Sequence, residues 1–157
     1  SRYARLLGLL RSPEWFDRAP PSAYPTLMNI LTDPALARLI ARAKSDRDVL
    51  AVLLIGSRAR GNASAESDVD VCLVLTSEPA SDLAGAEKRL EYLAEVDFDV
   101  VIFQQLPVYI RSRVLKEGRV LFARDEDALY DLAARTARAF ERFRHIYRGY
   151  LEQVSRD

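Results

Sequence analysis

Apolar residues fill every position from Val49 to Ile55 and stop at Gly56. A run of that length without polar alternation predicts a strand covered on both faces. Further runs over Val69–Leu75 and Phe98–Phe103 predict a second and third strand, and Val120–Ala123 a short fourth. Between them the period lengthens to that of a helix. Leu83, Ala86, Leu90 and Leu93 place one over 82–94, and Pro107–Glu117 reads as another, stopped at Gly118. Asp33-Pro34 pairs an N-cap residue with a proline at the first helical position, opening a helix to about Lys44. Residues 2–11 carry apolar positions 3, 6, 7 and 10, a short amphipathic helix, and 26–32 look helical, with Pro20, Pro21 and Pro25 breaking the regularity between. Residues 126–154 predict a long terminal helix. In it Leu129, Thr136, Phe143 and Tyr150 recur every seven residues, and Ala133, Phe140, Tyr147 and Val154 do the same four positions on. The expected class is α/β (α+β in arrangement): a small mixed sheet flanked by helices, with a long C-terminal helix. The expected division is an N-terminal helical extension over 1–47 and one domain over 48–157.

Composition narrows the function classes. The chain is 49% apolar, enough for a real core, and its 23 basic residues balance 23 acidic ones. Net charge therefore gives no pull toward nucleic acid or a membrane surface. No stretch reaches the ~18 apolar residues of a membrane span, and Leu6–Leu10 behind Arg2 and Arg5 is too short for a signal peptide. The expectation is a cytoplasmic protein. Cys72, the single cysteine, sits inside an apolar run, which excludes an internal disulfide and predicts a buried, inert thiol.

The candidate chemistry lies in 56-GSRARGNASAESDVDV-71, directly after the first strand. Asp68 and Asp70 are two apart on a strand, so both point to one face with Cα atoms ~7 Å apart. Two carboxylates that close repel by about 2 kcal/mol at an effective dielectric near 20, unless a cation sits between them. Oxygen-only ligands suit Mg²⁺ or Mn²⁺, which share their coordination with phosphate. Glycine at 56 permits a tight turn, and the amide and hydroxyl of Ser57 can hold phosphate oxygens. Arg58 and Arg60 can add charge-assisted bonds to a triphosphate. These groups meet only if the first two strands are antiparallel neighbours. The third strand follows a helix of crossover length and so runs parallel to the second, which brings Asp99 beside Asp68 and Asp70. Three carboxylates holding two Mg²⁺ ions match the clamp for in-line phosphoryl or nucleotidyl displacement, with Asp99 a candidate base for an attacking hydroxyl. Asp97 shares the face of Asp99 but lies nearer the rim, and Asp99 is preferred.

Gly56-Ser57, ten residues, then Asp68-x-Asp70 resembles the signature of the polymerase-β-like nucleotidyltransferase superfamily, in the form closest to its minimal nucleotidyltransferases. The stretch 99-DVVIFQQLPVYIRSRVLKEGRVLFARD-125 resembles that family as well, and the likeness spans roughly residues 48–150. The resemblance implies ATP as substrate, transfer of AMP to a hydroxyl, triphosphate binding by Gly56 and Ser57, and metal ligation by Asp68, Asp70 and Asp99. It further implies the antitoxin half of a toxin–antitoxin pair, acting on a tyrosine of a HEPN-type ribonuclease toxin. Two other readings stand beside it: an antitoxin that silences its toxin by binding alone, and transfer to a small-molecule hydroxyl such as that of an antibiotic. The second half of the terminal helix is expected to dock a partner or a second copy. Its arginines (Arg135, Arg138, Arg142, Arg144, Arg148) give it a basic surface. The segment Arg138…His145-Ile-Tyr147 superficially resembles a HEPN ribonuclease pattern, but it follows a nucleotidyltransferase core and His145 is not expected to be catalytic.

Overall fold

The computed structural model describes residues 33–55 and 70–156. The helices expected over 2–11 and 26–32 lie outside these residues. The order is α1 (Pro34–Ser45), β1 (Val49–Ile55), β2 (Asp70–Leu75), α2 (Asp82–Leu93), β3 (Asp99–Ile102), a 3-10 turn (Phe103–Gln105), α3 (Val108–Glu117), β4 (Arg119–Ala123) and α4 (Glu126–Ser155). The strands form one mixed sheet in the order β3-β2-β1-β4. β1 is antiparallel to β2 and β4, and β2 is parallel to β3. This is the expected α/β class with a small mixed sheet and a long C-terminal helix.

Both faces of the sheet are covered, as the unbroken run of β1 requires. Val49, Val52, Leu54, Val71, Leu73 and Ile102 pack with Leu36, Leu39 and Ala43 of α1 and Tyr92 of α2. Leu50, Leu53, Cys72 and Val74 face the other way, onto Val114 and Leu115 of α3 and Leu129 and Ala133 of α4. Every residue from Val49 to Leu54 is buried. Cys72 is buried too, and burial pushes its thiol well above the usual range, so it is an inert packing residue. Asp33, Ser81 and Asp125 cap α1, α2 and α4 by accepting from backbone N–H groups of the first turn.

The third strand ends earlier than expected, at Ile102, because a side chain replaces its continuation. The register of β2 with β3 pairs Leu73 with Ile102. The next position able to pair with Leu75 is Gln104. Its amide does so: the Leu75 N–H donates to Oε1 at 3.0 Å and Nε2 donates to the Leu75 carbonyl at 2.9 Å. The main chain is thereby free to turn at Phe103. Gly118 ends α3 for a reason that differs from the usual left-handed stop, since its φ of −69° and ψ of 157° are open to any residue. A Cβ there would lie 2.5 Å from the Val114 carbonyl oxygen, so the helix end closes against β1 only around a glycine.

α4 leaves the body halfway along. Leu129, Ala133, Thr136 and Ala137 are buried, whereas every residue from Glu141 to Arg156 is exposed.

Candidate active site at the start of β2 and β3

Asp70 opens β2 and Asp99 opens β3, and the parallel register makes them direct partners. Register partners in neighbouring strands face the same way about 4.8 Å apart. The two carboxylates therefore stand side by side at one end of the sheet, on the face that carries Cys72 and Val74. Asp70 is half-buried and Asp99 exposed, so both reach solvent. β1 delivers Ile55 opposite Asp70, and residues 56–69 join these two points. Gly56, Ser57, Arg58, Arg60 and Asp68 all belong to that segment, outside the described residues. Asp97 is exposed in the bend before β3 and has no strand partner among the described residues.

Arg89 is a site neighbour that no sequence pattern indicated. From α2 its Nη2 donates to Asp99 Oδ1 at 2.9 Å, and its Nε donates to the Val100 carbonyl at 2.6 Å. β3 is an edge strand, and Arg89 supplies donors along its open side. Both groups of the ion pair are substantially exposed, so its worth is in orientation rather than stability. It engages one oxygen of Asp99.

The donors suit a hard divalent ion. Both are carboxylates, with no thiolate or imidazole beside them, the set that selects Mg²⁺ or Mn²⁺. Their repulsion at one strand spacing favours a cation between them. Among the described residues no group of three or more such ligands assembles, and Asp68, the expected third, is outside that set. Two open depressions of about 780 and 660 Å³ lie near Thr76, at the other end of β2. Neither touches Asp70 or Asp99, and the carboxylate pair is the better guide to the chemistry because it carries the reactive groups.

A second charged cluster is structural. Asp46 follows α1; its Oδ2 accepts from Lys88 Nζ at 3.1 Å and from the Tyr92 hydroxyl at 2.9 Å, and Oδ1 accepts from the Asp48 amide at 3.0 Å. Burial alone would raise the Asp46 carboxyl, but these hydrogen bonds and the Lys88 charge outweigh it and hold the group below its usual value. A depressed carboxylate stabilises the fold above the unfolded-state value of ~3.9 and loses that contribution as pH falls through its folded value. Asp46→Asn is expected to cost about 1–2 kcal/mol at pH 7. The gap to the parent should close below about pH 4, as read from urea unfolding across the acid range.

Comparison with known proteins places these features in company. The family described as polymerase beta, nucleotidyltransferase matches residues 37–127, beginning inside α1 and spanning all four strands. A protein of Methanocaldococcus jannaschii, provisionally named a protein adenylyltransferase, is 33% identical over 110 residues, covering 68% of this chain and 75% of the relative. Among solved structures, a toxin–antitoxin with AMP-PNP superposes with a TM-score of 0.55 at 19% identity, over 74% of this chain and 96% of that one. A complex of tri-AMPylated Shewanella oneidensis HEPN toxin with MNT antitoxin gives 0.51 at 16% identity, over 76% and 92%. At such identities the structures speak for the fold. Among the described residues no helix is long and apolar enough to cross a membrane.

Proposed function

This chain belongs to the polymerase β nucleotidyltransferase family, and from that premise we propose that it transfers AMP from ATP to a hydroxyl of a partner protein. We take the partner to be a HEPN-type toxin, the acceptor one of its tyrosines, and the chain its antitoxin. The observation that carries the reading is the direct pairing of Asp70 with Asp99 where β1 hands over to the Gly56-Ser57 segment. The adenylyltransferase name of a relative at 33% identity supports the reaction class. The toxin–antitoxin neighbours support the setting, as a likeness of fold.

In this reading Asp68, Asp70 and Asp99 hold Mg²⁺. Bound there, the ion neutralises charge on the triphosphate and on the departing pyrophosphate. Gly56 and Ser57 bind phosphate oxygens through backbone N–H groups and the hydroxyl, and Arg58 and Arg60 add charge-assisted bonds. The acceptor oxygen attacks the α-phosphorus, the bond to the β-phosphate oxygen breaks, and pyrophosphate leaves. Asp99 takes the hydroxyl proton, and Arg89 fixes the carboxylate by holding its Oδ1. Of the extension expected over 1–47, α1 packs into the core of the sheet, so only the residues ahead of α1 would form an extension of the catalytic domain.

The test is transfer of label from α-³²P-ATP to a purified HEPN partner with Mg²⁺ present. The expected result is label on the partner, located at a tyrosine by peptide mapping, and none with γ-labelled ATP. A partner neutralised without becoming labelled would contradict the reading and favour silencing by docking alone.

A further inference from the structure

An apolar strip on α2 faces away from the core. Gly85 and Tyr92 are the buried positions of this helix, whereas Leu83 and Leu90 are largely exposed. Helical spacing sets these two leucines beside the half-buried Ala86 and Leu93 on one continuous strip. The flank toward α1 is charged and occupied: Lys88 pairs with Asp46 and Asp48, and Glu91 with Arg42. The other flank carries Arg89, whose guanidinium reaches round the open edge of β3 to Val100 and Asp99. The strip therefore lies on the outer surface of α2, toward that open edge. Leu90 directly follows the residue that holds Asp99. Aliphatic side chains left in water along one strip, at the rim of the site, mark a contact surface.

The strand order says what covers it. β1 leads into Gly56 on one side of Asp70, and β3 puts Asp99 on the other, with no strand beyond it among the described residues. Nucleotidyl transfer is an in-line displacement, so the attacking hydroxyl and the leaving pyrophosphate stand on opposite sides of the α-phosphorus. A triphosphate held at Gly56 and Ser57 sends the pyrophosphate toward β1. The hydroxyl must then enter over Asp99 from the open edge, and a protein that brings it there lies against the outer surface of α2. The charges beside the strip give the chemistry of that protein's surface. Arg89 is engaged by Asp99. Asp82, Glu87 and, before β3, Asp97 are exposed carboxylates with no ion-pair partner among the described residues. A negative border favours cationic residues opposite it.

We propose that the protein acceptor of AMP docks on Leu83, Ala86 and Leu90 of α2 through apolar side chains accompanied by lysine or arginine, and reaches past the edge of β3 to present its hydroxyl to Asp99. That the docked protein is the acceptor rests on the function proposed above.

The probe is the purified HEPN partner of the transfer assay. Its binding to the full chain is read without ATP by isothermal titration calorimetry, its KM by transfer of label, and the chain's own mass by sedimentation velocity. The variant L83Q/L90Q keeps good helix formers and adds no charge. Both positions are exposed, so its urea midpoint should match the parent. It should bind the partner at least about tenfold more weakly and raise KM for the partner by a similar factor, with KM for ATP unchanged. E87K should weaken binding about twofold to fivefold. Parental affinity in either variant, tighter binding by E87K, a partner that binds neither parent nor variant, or a chain that self-associates through α2 and loses only that in L83Q/L90Q would each overturn the inference. The two readings fail separately. A partner that binds through α2 but takes no label refutes transfer and keeps the surface. A partner labelled equally well by the parent and L83Q/L90Q refutes the surface and keeps transfer.

Discussion

Asp70→Asn is expected to lower nucleotidyl transfer by about 10²–10³-fold, or roughly 3–4 kcal/mol of barrier, without unfolding the chain. The substitution keeps shape and hydrogen-bonding size but removes the charge that stands beside Asp99 in the parallel register. Asp70 sits half-buried at the very start of β2, before the fully buried stretch, so little packing depends on it. Unfolding free energy in the absence of metal should stay within about 1 kcal/mol of the parent, because repulsion between neighbouring carboxylates is removed along with the charge. Single-turnover transfer and urea unfolding on the same preparation separate the two effects. A variant that transfers AMP at the parental rate would remove Asp70 from the reaction.

The largest stability effect from a single surface-reaching side chain is expected at Arg124. Its Nη2 donates to the carbonyls of Ala43, Lys44 and Asp46 at 2.8, 2.9 and 3.0 Å, and its Nε to that of Val49 at 3.0 Å. The Lys44 carbonyl is one of those that the C-terminus of α1 leaves without an intrahelical partner, and that of Ala43 otherwise accepts only from the Asp46 N–H at 3.2 Å; the helix dipole also favours a cation there. Arg124 itself follows β4, and its amide donates to Leu50 at 2.7 Å. One guanidinium thus ties α1 and the start of β1 to the end of β4. Each hydrogen bond to a charged group is worth about 1.5–3 kcal/mol, discounted here because the residue reaches solvent and the bonds share one donor group. Arg124→Ala should cost roughly 2–3 kcal/mol, seen as a lower urea midpoint with an unchanged slope. Arg124→Lys keeps the charge but not the fork and should recover less than half of that. Parental stability in Arg124→Ala would show that water serves these carbonyls equally well.

Much of this architecture was legible because its physics is local. The run Val49–Ile55 could only be a strand buried on both sides, and the strand–helix–strand order of 70–102 fixed a parallel pair. That in turn set Asp99 beside Asp70. What escaped was whatever depends on side chains meeting across the fold. The strand expected to run through Phe103 stops at Ile102 because the Gln104 amide serves Leu75 in place of backbone, and no periodicity encodes such a swap. Arg89 belongs to a helix whose place was read correctly but whose buried face was not: of the expected stripe Leu83, Ala86, Leu90 and Leu93, Leu83 and Leu90 are 68% and 63% exposed, and Gly85 and Tyr92 are the buried positions. The reach of Arg89 to Asp99 depends on how α2 crosses the sheet edge. Gly118 was expected as a stop, but close approach to Val114 rather than backbone freedom explains it. The burial of Leu36, Leu39 and Ala43 under β1 is likewise a long-range fact, invisible at the change of pattern near residue 47.

The central claim is that the carboxylates gathered at the start of β2 and β3 bind a divalent ion together with ATP. Titrating the chain with Mn²⁺ in the presence of a non-hydrolysable ATP analogue, followed by water-proton relaxation, measures this directly. The account predicts a bound ion whose affinity falls at least about tenfold in Asp70→Asn and again in Asp99→Asn. Mn²⁺ binding of equal strength in the parent and both variants would contradict it.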